Sequence, residues 1–218
     1  MKHLLLLFLL IPSLSFAFQP EISLGYSSFQ KPSNGLWYQE GLPYKLNLTS
    51  GSIGLGLKLD LGERLKLHLG YKYLGSISSD AQASASDANY AAWKAGTATL
   101  WPTSHFTGKG DLQGIYSLAS YDWTHLYITG GVWVHRSSWT ETIPDWRYDV
   151  NNTGTPSAPQ YLQVKCNSKP RIDPVGGLGY KLTKNLSIEY TIWKARNTAQ
   201  YPLASGNYIQ NLGLIYTF

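Results

Sequence analysis

The sequence predicts an all-β chain: one transmembrane, antiparallel up-and-down barrel of eight strands, with three short turns at one end and four long loops at the other. Three observations carry this. Apolar side chains recur at every second position, the period of a strand and not of a helix. Short and long links between the alternating segments follow one another in strict turn. The last segment ends flush on an aromatic residue, Phe218, with Tyr216, Leu214 and Leu212 behind it at the same spacing.

The elements follow in chain order. Residues 1–17 read as a secretory leader, with a basic start at Lys2, an apolar run over 4–11, and small residues at Ser15 and Ala17 for cleavage after Ala17. That run is too short to cross a bilayer as a helix, which takes about 20 apolar residues. The barrel domain is then 18–218. Its first strand, 21–29, puts Ile22, Leu24 and Tyr26 on one face. The clearest pair is 53–73. Ile53, Leu55, Leu57, Leu59 and Leu61 alternate with Gly54, Gly56, Lys58 and Asp60. After a turn at Gly62-Glu63-Arg64, Leu65, Leu67, Leu69, Tyr71 and Tyr73 alternate with Lys66, His68, Gly70 and Lys72. Each arm has the ~10 residues that a tilted strand needs to cross hydrocarbon.

Two further pairs are expected at 111–121 with 125–135, and at 171–182 with 186–195. They turn at Asp122-Trp123-Thr124 and Thr183-Lys184-Asn185. In the first pair Leu112, Tyr116, Leu118, Leu126, Ile128, Val132 and Val134 are read as facing out; in the second, Leu178, Tyr180, Leu182, Leu186, Ile188, Tyr190 and Ile192 are. The eighth strand is 207–218. The long links are then 30–51, 76–110, 136–170 and 196–206, all at the end opposite the chain termini.

Composition agrees. Trp and Tyr number 24 in 218 residues, while only 14% of residues are charged. Such amphipathic rings suit a membrane–water boundary. The formal charge of +5 is scattered without a basic run, so nucleic acid is not an expected partner. The single Cys166 excludes an internal disulfide framework and is expected on a surface loop. No cofactor and no metal set is indicated. A soluble lipocalin-like barrel, apolar face inward, would account for the alternation and the leader. It would not account for the terminal Phe218 or for the strict order of the links.

The closing segment, with Gly213, Tyr216 and Phe218, resembles the terminal assembly signal of bacterial outer-membrane barrels. The strand–turn–strand 177–187 is similar to turns in small barrels of that kind. The layout as a whole resembles the OmpA/OmpX-type eight-stranded barrels, opacity and Ail/Lom-like members included. The resemblance implies insertion through the barrel-assembly machinery and a monomer in the outer membrane beside lipid and lipopolysaccharide. It implies short turns in the periplasm and long loops outside the cell. It identifies a fold better than a function, since such barrels serve as anchors, adhesins and enzymes.

With the apolar face outward, the polar face lines a lumen that eight strands leave just wide enough for side chains. Inward candidates include Lys58, Asp60, Lys66, His68, Lys72, Asp173 and Glu189, together with Glu21, Arg171 and Lys181. Buried charges persist when paired, so a lumen plugged by charge pairs and water is expected. A non-enzymatic anchor that displays loops for surface contact or envelope integrity is the leading function. A narrow gated pore and a lipid A-modifying hydrolase stand as alternatives. For the hydrolase, His135-Arg136-Ser137 with Glu141 has the local form of the His-x-Ser pair and acid of lipid A deacylases. In the loops, Ser86 caps a short predicted helix over 88–95, Trp139 divides evenly between interface and contact roles, and Trp146 and Tyr148 are contact candidates for a host or surface ligand.

Overall fold

A computed structural model describes residues 18–30, 44–84, 103–144, 161–195 and 207–218. The leader, the predicted helix over 88–95, Trp146 and Tyr148 lie outside these. The described residues form ten strands: β1 (Gln19–Phe29), β2 (Tyr44–Asn47), β3 (Thr49–Asp60), β4 (Leu65–Ser84), β5 (Thr103–Trp123), β6 (Leu126–Pro144), β7 (Tyr161–Asn167), β8 (Arg171–Lys181), β9 (Leu186–Ala195) and β10 (Asn207–Thr217).

Eight of them close a barrel in the order β4-β3-β1-β10-β9-β8-β6-β5, with β5 pairing back to β4. All pairings are antiparallel. The first and last strands meet, Glu21 opposite Thr217 and Phe29 opposite Ile209. The base is tied further by Phe218 N–H donating to the Pro20 carbonyl at 3.0 Å and Thr217 N–H to the Asn185 carbonyl at 2.8 Å. The links 61–64, 124–125 and 182–185 are short, while at the other end the eight barrel strands are joined by the longer stretches 30–48, 85–102, 145–170 and 196–206, of which the first and third include β2 and β7.

Alternation decides which face looks where. Leu24, Tyr26, Ile53, Leu55, Leu57, Ile128, Val132, Val134, Leu178, Leu212 and Leu214 stand exposed on the outside, as their spacing predicts. On β5 the expectation fails. Leu112 and Leu118 are buried inside, and Tyr116 packs with them, while the outward side chains are Ile115, Ser117, Ala119 and Tyr121. Both faces of this strand carry apolar groups, so its period does not reveal which one meets the lumen.

The chain also rises higher than its links suggest. β4 and β5 stay paired up to Ser84 and Thr103, and β6 runs on to Pro144 against β7. The predicted loops 76–110 and 136–170 thus contain strand at 76–84, 103–110, 136–144 and 161–167. β2 joins this tall side through Leu46 opposite Ser79, whereas β1, β9 and β10 stop at the rim. From Gly75 to Ser84 the added wall is roughly 30 Å of strand. Cys166 therefore lies in a strand, opposite Trp139, and not in a loop. Trp139 is not at an interface; it is 2% exposed on the wall's inner side.

A bulge marks where barrel becomes wall. Register shifts between Tyr73 and Gly75, and Gly75 sits at φ 100°. Below it the even positions of β4 face in; above it Ile77 and Ser79 do. The extra residue, Leu74, is wholly buried, consistent with the habit of bulges to re-aim a strand.

The β5–β6 hairpin turns at Thr124, a β-branched residue held at φ 48°, where glycine is favoured. Thr124→Gly relieves this and raises stability by about 1 kcal/mol. Urea unfolding in lipid vesicles checks it through a higher midpoint; a lower one would mean that the Thr side chain stabilises the turn.

Candidate functional site

The lumen is the one enclosed environment described, and it is built in layers. At the short-turn end β3 and β4 bring Lys58, Asp60, Lys66 and His68 together, as their shared face predicts. Lys58 lies opposite His68, and Asp60 opposite Lys66. Lys66 Nζ is 2.9 Å from Asp60 Oδ1 and 3.4 Å from Asp122 Oδ2. Asp122 also takes Lys181. His68 joins Glu21 through Nδ1 and Ser120 through Nε2, each at 2.9 Å. Thr217 donates to the other Glu21 oxygen at 3.0 Å. Ser120 belongs to the misread face of β5, and Asp122, read as part of the turn, is the next inward residue of a strand that runs on to Trp123, which is why sequence reasoning missed both.

These groups, Asp60 excepted, line a cavity of about 260 Å³ that also borders Tyr127, Thr183 and Lys184. Above it the lumen narrows to a void of about 30 Å³ lined by Lys72, Glu189, Tyr116, Leu118 and Trp193 among others. Lys72 donates to Ser23 Oγ at 2.9 Å and Tyr127 to Ser187 Oγ at 3.3 Å. Nearby, Asn211 donates to Ser52 Oγ at 2.6 Å and Ser27 Oγ at 3.0 Å. Two glycine clearings admit the large rings. Tyr116 reaches β3 and β4, where a Cβ on Gly56 or Gly70 would lie 2.6 or 2.5 Å from its hydroxyl. Tyr127 lies over Gly179, where a Cβ would overlap the ring.

The third layer is apolar and aromatic, which was not expected. Trp133 is fully buried and meets Trp193 edge-on at 5.0 Å between ring centroids; Trp193 meets Tyr116 at 5.9 Å. Their indole N–H groups are satisfied: Trp133 donates to the Lys194 carbonyl at 2.8 Å and Trp193 to Thr191 Oγ1 at 2.8 Å. Phe29, Leu74, Leu112, Val175 and Ile209 complete this plug. The lumen is therefore half charge network and half hydrophobic core, not charge pairs throughout.

Asp173 stands apart from the lower network. It pairs with His135 Nε2 at 2.8 Å, and the His135 ring stacks on Trp133 at 4.3 Å. Of the three residues of the hydrolase alternative, His135 thus pairs with the acid Asp173. Glu141 accepts from Trp139 Nε1 at 2.7 Å. Ser137 shares the face of His135 but ties the strand to Ser168, whose Oγ accepts from the Ser137 N–H at 2.8 Å. His135 and Asp173 are both buried inside the barrel.

In the terminal segment Tyr216 and Phe218 point outward and pack edge-on at 5.0 Å. Gly213 faces in, and a Cβ there would meet nothing nearer than 3.5 Å, so packing does not demand glycine at that position.

No protein-family model matches the chain, and no curated protein is similar to it. Among solved structures it is similar to Ail, the attachment invasion locus protein of Yersinia pestis, at 10% identity over 92% of this chain and 98% of that one, TM-score 0.48. It is similar to the outer membrane protein OprG from Pseudomonas aeruginosa at 10% identity over 93% and 97%, TM-score 0.45. It is also similar to the outer membrane protease OmpT from Escherichia coli at 13% identity over 95% and 99%, TM-score 0.41. The fold assignment rests on the closed sheet of this chain.

Two glycine substitutions test the packing of the lumen. Gly179→Ala displaces the Tyr127 ring and lowers stability by about 1–3 kcal/mol. Gly176→Ala on the outer face, whose Cβ meets nothing nearer than 3.9 Å, leaves the urea midpoint unchanged or raised. Equal effects at the two sites would contradict the placement of Tyr127.

Proposed function

We propose that the chain is a bacterial outer-membrane barrel whose work is to anchor and display: a sealed cylinder in the lipid that carries a raised wall and four links for contact at the cell surface or for envelope integrity. The observation that carries the reading is the pairing of an apolar outside with a closed inside.

The outside has the dimensions of a membrane span. Eleven residues of β10, at ~3.3 Å each and tilted ~40°, rise roughly 25 Å, the height of the apolar band on such barrels. Exposed aromatics flank the aliphatic middle. Tyr121, Trp123, Tyr180, Tyr216 and Phe218 stand toward the short-turn end, and Tyr26, Tyr71 and Tyr208 further up. Rings of this kind favour the interface between acyl chains and water. A water-soluble monomer would leave all of these groups in solvent, and soluble monomers rarely carry apolar patches beyond a few hundred Å².

The inside supports an anchor over a pore. Trp133, Trp193 and Tyr116 cross the lumen above the ion pairs. The raised wall supports display, since β4, β5 and β6 extend past the rim on which β1, β9 and β10 stop. Assembly through the terminal strand is supported by the outward Tyr216 and Phe218. A non-enzymatic role is supported by the enclosure of His135 and Asp173, which a lipid in the outer leaflet does not reach.

Two measurements test this reading. Planar-bilayer recordings of the folded protein stay at baseline, and Glu189→Ala leaves them there; steady conductance from the unaltered protein would overturn the sealed lumen. Excision of 85–102 and 145–160 preserves heat-modifiable folding and removes adhesion of expressing cells to host cells or matrix. Unchanged adhesion without both segments would overturn the display role.

A further inference from the structure

The cavity at the short-turn end is a cul-de-sac with an unbalanced charge. Its carboxylates are already engaged: Glu21 with His68 and Thr217, Asp122 with Lys66 and Lys181, and Asp60, just behind, with Lys66. Four lysines face these three carboxylates, Lys58, Lys66, Lys181 and Lys184. Lys58 and Lys184 have no ion pair and no side-chain hydrogen bond among the described residues. Lys58 is half-buried on the wall, and Lys184 stands at the mouth on the turn 182–185. Seryl and threonyl hydroxyls, Ser120 and Thr183, line the same space.

No carboxylate is left over to hold a cation, and the residue of the ledger is positive charge. A cleft of one sign with low-dielectric walls focuses its field and concentrates counter-ions. About 260 Å³ falls just below the range usual for drug-sized ligands, so only a small solute or one end of a larger one enters. The Tyr127 and Tyr116 rings and the tryptophan plug close the far side, so an anion that enters has no way through. This geometry suits binding and not passage.

We propose that this vestibule is a binding site for a small oxyanion, a phosphate or carboxylate group, seated between Lys58 on the wall and Lys184 at the mouth. The Thr183 hydroxyl, which accepts from the Asn185 and Leu186 N–H groups and keeps its own proton to donate, adds a neutral donor. In the orientation given above the site opens to the periplasm, but the binding itself does not depend on that orientation or on the display role.

Calorimetric titration of the folded full chain in detergent, with inorganic phosphate in one arm and acetate in the other, tests the proposal. Saturable binding of at least one anion is expected, and the tighter arm identifies the oxyanion class. Lys58→Gln weakens it about tenfold or more, Lys58→Arg restores most of it, and Lys184→Gln weakens it to a smaller degree. Heat-modifiable migration of each variant shows that the barrel still forms. Absence of saturable binding in both arms, or equal binding by the unaltered chain and Lys58→Gln, overturns the site.

Discussion

The whole structure depends on the closure of one hydrogen-bonded sheet. Hydrocarbon offers a backbone N–H or C=O no partner, so a strand can lie in it only if both its edges are paired. β5 returning to β4 and β10 returning to β1 meet that demand for this chain. Closure with eight strands leaves a lumen that side chains fill. The layered interior follows from that constraint. Every inward position must hold something that packs against its neighbours or bonds to them.

The two halves of the lumen solve this differently. Near the short turns, charges sit close enough to water to be hydrated, and they pair in a chain from Asp60 through Lys66 and Asp122 to Lys181. Deeper, three large rings and several aliphatic side chains fill most of the space, with Lys72, Glu189 and the His135–Asp173 pair set among them, and glycines on the facing strands give the rings room. A buried ion pair contributes little net stability against a well-packed apolar group. A lumen sealed by Trp133 and Trp193 is thus a sounder foundation for a rigid scaffold than one sealed by charges alone. The same seal turns the lower network into a vestibule with one mouth.

Much of this was legible in the sequence, and the failures have physical causes. The hairpin of β3 and β4 was clear because one face is leucine and the other lysine, histidine and glycine. On β5, Leu112, Tyr116 and Leu118 look like a lipid-facing stripe, but they belong to the plug; Ile115 on the opposite face is 66% exposed. A strand with apolar groups on both faces carries no directional signal. The bulge at Leu74 and Gly75 reverses inside and outside within one strand, which a fixed period of two cannot anticipate. The raised wall was hidden because strands beyond the lipid have no reason to alternate: 76–84 is mostly serine, alanine and polar residues. Of the charge network, pairings across β3 and β4 were readable, whereas Asp122 and the separate His135–Asp173 pair depended on register between distant strands.

The central claim is that the apolar outer face touches acyl chains while the inner face does not. Spin labels test it most directly. In a Cys166→Ser background, the replacements Leu55→Cys, Leu57→Cys and Leu214→Cys outside, and Ser23→Cys and Asn211→Cys inside, each carry a nitroxide in lipid vesicles. Power saturation then compares collisions with dissolved oxygen, which concentrates in lipid, and with a water-soluble nickel chelate. The three outer labels should collide strongly with oxygen and weakly with nickel, and the two inner labels weakly with oxygen. Outer labels open to the nickel chelate would contradict the account.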